Sequence, residues 1–104
     1  MNIIENGDNS TSIILDDSFD FESHKTFRDM VKGIISKRPE KLIIDFSKVE
    51  YIDSSALGML MLARQEANTI DCQMKLTNIE EGHTLNVLKL VKFDTLFDLS
   101  LIHI

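Results

Sequence analysis

A single α/β domain, with a mixed and largely parallel sheet flanked by helices, is the fold class that the sequence predicts. Segments of strand character alternate with segments of helical periodicity along the 104 residues. The chain opens with two short apolar stretches around an Asn-Gly turn, which is typical of a hairpin. Residues 41–46 include three consecutive apolar residues, which is typical of a strand covered on both faces. A chain of this length buries one core, so we expect one domain over residues 1–104.

The first half of the chain predicts a hairpin followed by a helix. Residues 2–5 and 11–15 form the two strands, and the polar residues 16–18 end the second strand. A helix begins near residues 21–23, and the basic residues and the proline at 37–39 end it. Its apolar residues at helical spacing are Phe27, Met30, Val31, Ile34 and Ile35.

The second half continues the alternation of strands and helices. Its predicted elements are a strand at 41–46, a connector at 47–52, a helix at 56–67, a strand at 73–76, a helix at 80–90 and a strand at 96–99. Strands that alternate with helices form parallel neighbours through right-handed crossovers. The hairpin at the start supplies the antiparallel pair of the mixed sheet.

Composition excludes several classes of function. The chain has 11 basic and 17 acidic residues, a net charge of −6, so nucleic acid is not the expected partner. No apolar run approaches twenty residues, so no membrane span is expected. The first ten residues have neither the basic nor the apolar region of a secretory signal. We therefore expect an acidic cytoplasmic protein.

Residues for metal, cofactor or catalytic chemistry are few. The single cysteine, Cys72, excludes an internal disulfide and a cysteine-rich zinc site. The three histidines, His24, His83 and His103, lack the spacing of metal ligands. No glycine-rich nucleotide loop is present. We therefore expect no cofactor, no metal and no enzymatic activity.

The most informative segment is the start of the helix that follows the connector. Asp53-Ser54-Ser55 is a cluster of residue types that cap helices. A serine at such a position lies beside unpaired backbone N–H groups and the positive end of the helix dipole, which tolerate a phosphate. Serines before helices are mostly plain caps, and the residue type alone favours that reading of Ser54. Gly58 indicates either close packing of the helix on the sheet or close approach of a partner.

The apolar run that follows Gly58 has four residues, Met59 to Leu62. Four consecutive helical residues cannot all face the core, so we expect Met59 or Leu62 to lie near the surface. Methionine adapts well to binding surfaces. We therefore expect a partner groove along this helix.

Asp53-Ser54-Ser55-Ala56-Leu57-Gly58, after a strand that ends at Asp45, resembles the signature of the STAS domain. Within that family the segment is most similar to anti-sigma factor antagonists. The chain departs from the usual pattern at Ala56, where most members have glycine. The order of elements is similar over nearly the whole chain, although a C-terminal helix common in the family is missing after Leu99.

The resemblance implies a phosphorylation switch. Ser54 is the implied phosphorylation site, and Ser55 is the second choice. The implied partners are an anti-sigma factor that is also a serine kinase, or a related regulator, and a phosphatase of the PP2C type. The unphosphorylated form would bind its partner and phosphorylation would release it. Asp45 is a candidate for supporting the loop. The candidate partner-binding residues are Asp53, Ser54, Ser55, Ala56, Leu57, Gly58, Met59 and Leu62.

Two other functions use the same residues. A response-regulator receiver domain would need Asp16-Asp17 as its acidic pair, Asp45 as the phosphorylated residue and Thr77 as its hydroxyl. That fold requires a further strand and helix between the acidic pair and Asp45, and the chain has no room for them. A constitutive STAS subunit of a lipid-trafficking ABC transport assembly would use the same surface, with Ser54 as a helix cap only.

Overall fold

The computed structural model describes residues 1–79 and 98–101. These residues contain seven strands and two α-helices. The strands are β1 (Asn2–Glu5), β2 (Ser10–Ile14), β3 (Ser18–Phe19), β4 (Lys41–Asp45), β5 (Tyr51–Ile52), β6 (Gln73–Ile79) and β7 (Asp98–Leu101). The helices are α1 (His24–Ser36), which follows a 3-10 turn at Phe21–Ser23, and α2 (Ser54–Asn68). The helix predicted at 80–90 lies outside the described residues.

The main sheet has the strand order β1-β2-β4-β6-β7. Only β1 and β2 are antiparallel, and β2, β4, β6 and β7 follow one another in parallel. The predicted mixed and largely parallel sheet is therefore confirmed. The crossovers through α1 and α2 join neighbouring parallel strands, and the two helices pack against each other. Because such crossovers are right-handed, both helices lie on one face of the sheet.

The core lies between this helical pair and the sheet. Each central strand alternates, so that every second side chain enters the core; in β4, Leu42 and Ile44 are fully buried while Ile43 is half-buried. The strand is covered on both faces, as predicted, but less completely on the face of Ile43. The three consecutive apolar residues of β4 therefore differ in burial. The Phe19 ring packs edge-on against Phe27 at 5.0 Å and Phe46 at 6.3 Å, which joins β3 and α1 to the core.

A second, two-stranded sheet was not predicted. Ser18 and Phe19 of β3 pair in parallel with Tyr51 and Ile52 of β5. The sequence predicted the end of a strand at 16–18 and a connector at 47–52, because two residues are too few to show a strand period. This small sheet brings the end of the hairpin next to the residues that precede α2.

Strand β1 lies at one edge of the main sheet, and all four of its residues are exposed. Its last residue, Glu5, accepts a hydrogen bond from the Lys37 ammonium at 2.8 Å. This contact lowers the pKa of Glu5 and raises the pKa of Lys37. Of the helices in the described ranges, none is long and apolar enough to cross a bilayer.

Two nearby leucines of α2 differ in burial, so truncating each to alanine should change the free energy of unfolding by different amounts. Leu60 is fully buried, whereas Leu62 is 55% exposed. We expect Leu60→Ala to reduce the free energy of unfolding by about 2–5 kcal/mol, because it leaves a cavity in the core. Leu62→Ala should change it by about 0.5 kcal/mol or less. Urea unfolding of both variants tests this, and equal losses would contradict the burial.

Cys72 gives the protein a pH dependence on the alkaline side. Its side chain is buried, and burial raises the pKa of the thiol. Below the ordinary thiol pKa, both folded and unfolded chains keep the proton. As pH rises above it, the unfolded chain loses the proton first, so the free energy of unfolding falls. We expect a shallower fall for Cys72→Ala in urea unfolding between pH 8 and 10. Parallel profiles would contradict this.

Candidate functional site at the start of the second helix

The Asp53 carboxylate determines where α2 begins. Asp53 has an extended backbone, with φ −117° and ψ −178°, and it occupies the N-cap position. Its Oδ1 accepts a hydrogen bond from the Ala56 N–H at 3.0 Å. Because of this cap, the helix begins at Ser54 rather than at the predicted residue 56. Ser54 and Ser55 thus occupy the first two helical positions, whose backbone N–H groups have no acceptor inside the helix.

The second oxygen of the same carboxylate holds another part of the chain. Asp53 Oδ2 accepts a hydrogen bond from the Phe21 N–H at 3.2 Å, at the start of the 3-10 turn. Nearby, the Asp17 carbonyl accepts hydrogen bonds from the N–H groups of Glu50 and Tyr51 at 2.7 and 3.1 Å. The segment before α1 and the segment before α2 are therefore joined side by side. These contacts fix the position from which Ser54 projects.

The two serines differ in accessibility. Ser54 is exposed and Ser55 is half-buried. Within the part of the chain that the structure describes, the Ser54 hydroxyl has no hydrogen-bond partner. The Asp53 carboxylate accepts the capping hydrogen bond, so the cap does not require the Ser54 hydroxyl. A side chain that is accessible and has no role in the cap can react or be covered without disturbing the helix.

Asp45 lies at the end of β4 and holds the loop that follows. Its Oδ1 accepts hydrogen bonds from the Ser47 N–H at 2.8 Å and from the Asn78 side-chain amide at 3.0 Å. Asn78 has a φ of 59°, in the left-handed region that asparagine tolerates. Asp45 thereby ties the loop after β4 to the end of β6. Among the described residues, the partners of the Asp45 carboxylate belong to these two segments and not to residues 53–55.

The candidate partner-binding residues divide by burial. Ser54, Gly58 and Leu62 are exposed, and Asp53, Ser55 and Leu57 are half-buried. Ala56 is fully buried and Met59 is 4% exposed, so both side chains belong mainly to the core. Of the two residues expected near the surface, Leu62 therefore lies there. A run of four apolar residues shows that some must be exposed, but the packing of α2 decides which.

Gly58 has open space around it. Within the described ranges, a Cβ atom built on Gly58 would meet no atom within 4 Å beyond its chain neighbours and the nearby backbone of its own helix. Gly58 therefore makes no close contact with the described part of the sheet, although packing on the sheet was one of its two readings. What remains is a flat, exposed position on the helix one turn after Ser54, which a partner could approach closely.

Three exposed apolar side chains near the motif were not singled out from the sequence. Phe21 is 70% exposed, Tyr51 is 49% exposed and Met61 is 38% exposed. Phe21 precedes the apolar stripe of α1, and this position outside the stripe was the available sign that its side chain is exposed. Acidic residues also lie in these segments, at Asp17, Asp20 and Asp53. Among the described residues, no group of three or more His, Cys, Asp or Glu residues could hold a metal ion.

Comparison with known proteins identifies the family. The STAS domain model matches residues 3–101. A STAS-domain containing protein of Pseudomonas aeruginosa (strain UCBPP-PA14) is 35% identical over 82 residues, which cover 79% of this chain and 79% of the relative. This chain belongs to the STAS-domain family. The expectation drawn from residues 53–58 is therefore confirmed at the level of the family.

Solved structures share the fold of this STAS domain at low sequence identity. An anti-sigma factor antagonist from Mycobacterium paratuberculosis superposes with a TM-score of 0.82 at 18% identity, covering 95% of this chain and 84% of the other. Unphosphorylated SpoIIAA, an anti-sigma factor antagonist, gives 0.72 at 16% identity over 99% and 87%. Phosphorylated SpoIIAA of Bacillus gives 0.74 at 15% identity over 98% and 90%. This STAS domain therefore has the fold of the anti-sigma factor antagonists.

The two hydrogen bonds of Asp53 predict the behaviour of two substitutions. Asp53→Ala removes the cap and the contact with Phe21, and we expect it to reduce the free energy of unfolding by about 1–2 kcal/mol. Asp53→Asn keeps a capping oxygen and should lose less than half of that. Urea unfolding compares the two variants. Equal losses would show that the cap contributes little to the stability of this helix.

Proposed function

We propose that this STAS domain, over residues 1–104, is a regulatory binding protein of a partner-switching pathway. It is an anti-sigma factor antagonist or a close equivalent, acts in the cytoplasm, and has no enzymatic activity and no cofactor. Its unphosphorylated form binds a protein partner, and phosphorylation of Ser54 releases that partner. The partner is an anti-sigma factor with serine kinase activity or a related regulator, and a phosphatase of the PP2C type restores the binding form.

The observation that carries this proposal is the position of the Ser54 side chain. It is exposed at the first residue of α2 and has no hydrogen-bond partner among the described residues. A plain helix cap would use the hydroxyl, whereas here Asp53 supplies the cap. Family membership and the fold shared with both forms of SpoIIAA support the same assignment. Ser55, which is half-buried, is the less accessible of the two candidates.

The physical effect of a phosphate here is local. It would add about −1.5 to −2 charges to a chain whose net charge is −6. The unpaired N–H groups at the start of α2 favour the phosphate, and the Asp53 carboxylate repels it. The domain can therefore carry the modification without unfolding. The change acts on whatever faces Ser54, through charge and bulk at the contact.

Ser54 substitutions test this proposal directly. The partner is captured with the Ser54→Ala protein, identified by mass spectrometry and purified, and its affinity is measured by calorimetry. We expect Ser54→Ala to bind like the unmodified protein, and protein carrying phosphoserine at position 54 to bind at least about tenfold more weakly, a difference of about 1.4 kcal/mol. Ser36→Ala is the matched control, since Ser36 is an exposed serine at the C-terminal end of α1; it should leave both the affinity and the phosphorylation unchanged.

Two outcomes would contradict the proposal. Equal affinity of the Ser54→Ala and phosphoserine proteins would remove the switch. If the common partner were then a component of a transport assembly, the domain would be a constitutive STAS subunit. Phosphate found at Ser55 in place of Ser54 would move the switch by one residue and contradict the assignment made here.

Gly58 provides an independent test, because stability and binding should change in opposite directions. Gly58→Ala has room for its methyl group and should raise the free energy of unfolding by about 0.5–1 kcal/mol. The same methyl group should weaken partner binding if the partner covers Gly58. Gly33→Ala is the matched control, since Gly33 of α1 also has open space around it and lies away from Ser54. Unchanged affinity for Gly58→Ala would remove Gly58 from the interface.

A further inference from the structure

A groove of about 240 Å³ runs between α1 and α2. Its floor is apolar and comes from both helices, with Phe27 and Val31 on α1 and Met59 and Ala63 on α2. These four side chains are buried in the core. Leu62, which also lines the groove, is 55% exposed. A partner that covered this exposed leucine and the apolar floor would remove apolar surface from water, which favours binding.

The two walls of the groove carry opposite charges. Arg28 lies on the α1 wall and Glu66 on the α2 wall. Neither side chain has an ion pair or a hydrogen bond within the described residues. By contrast, Lys25 and Asp29, which lie outside the groove on α1, pair with each other at 3.1 Å. The groove therefore presents one positive and one negative group that are both available to an occupant.

The groove is continuous with the site at Ser54. His24, which lines the groove, stacks on the Phe21 ring with a centroid distance of 6.3 Å. The Phe21 N–H donates a hydrogen bond to Asp53, the residue before Ser54. On α2, Leu62 follows Ser54 by eight residues, which is about 12 Å along the helix axis. A single partner can therefore contact both regions at once.

The volume of the groove limits what can occupy it. Sites that enclose a small-molecule ligand have volumes of about 300–1,000 Å³. A groove of about 240 Å³ that is open along the seam of two helices is smaller, and it suits a few side chains. Helix-in-groove recognition supplies such side chains, from apolar residues spaced three and four apart on one face of an amphipathic helix.

We propose that the groove between α1 and α2 binds an amphipathic helix of the partner protein. The apolar stripe of that helix covers Leu62 and the floor, an acidic residue on one side of the stripe faces Arg28, and a basic residue on the other side faces Glu66. This proposal rests on the proposed function, because the helix belongs to the protein that Ser54 controls. The groove is then a second anchor of the same interface, and Ser54 is the part that regulates it.

The test uses the full chain with the Ser54→Ala substitution and the purified partner. A photo-cross-linking amino acid at position 62 identifies the partner segment that covers the groove. Arg28→Glu should weaken binding at least about tenfold, because it places like charges together. Lys32→Glu is the matched control, since Lys32 is exposed on α1 and does not line the groove. Its effect should stay below about threefold.

A charge swap makes the test specific. Replacing the acidic residue of the cross-linked helix by arginine should weaken binding to the parent protein and restore binding to Arg28→Glu to within about threefold. A cross-linked segment without helical apolar spacing, or an absence of cross-links from position 62, would overturn the proposal. Equal effects of Arg28→Glu and Lys32→Glu would also overturn it.

Failure of the groove and failure of the switch give different results. If phosphoserine at position 54 weakens binding while Arg28→Glu does not, the switch stands and the groove is not part of the interface. If Arg28→Glu weakens binding and the charge swap restores it while phosphoserine at position 54 has no effect, the groove stands and the proposed regulation fails.

Discussion

The Asp53 carboxylate accepts backbone hydrogen bonds from two segments that lie far apart in sequence, and the geometry of the site depends on it. One oxygen caps α2 through the Ala56 N–H and the other holds the Phe21 N–H. The first contact fixes the residue at which the helix begins. The second fixes the helix against the turn that leads into α1. Ser54 therefore projects from a corner that these two hydrogen bonds hold, although it makes no side-chain hydrogen bond itself within the described residues.

The topology explains why such a corner forms at the carboxyl ends of the parallel strands. In a parallel arrangement, the strand ends and the starts of the following helices meet on one side. Asp45 at the end of β4 and Asn78 at the end of β6 join there, and the Asp17 carbonyl binds the chain just before α2. Backbone and side-chain hydrogen bonds hold these loops, so the surface at the carboxyl ends of the strands is preformed. A regulatory charge on a preformed surface can act without a conformational change.

Local patterns were sufficient to predict much of this fold. The turn residues around Gly7 located the hairpin, the apolar run at 41–46 located a central strand, and residues 53–58 located the site. Features that depend on long-range packing were not accessible. The β3 and β5 strands have two residues each and exist through their mutual pairing. Likewise, the groove requires the relative position of α1 and α2, which neither helix encodes alone.

The first strand has a consequence for how this protein behaves at high concentration. An edge strand offers unpaired backbone groups to any other extended chain, and sheets can grow through such edges. Here the strand has four residues, with only two isoleucines between Asn2 and Glu5, and the ion pair of Glu5 with Lys37 stands at its end. A chain that docked on this edge would form few hydrogen bonds and would have to desolvate that ion pair. The same edge that completes the sheet thus discourages its extension into polymers.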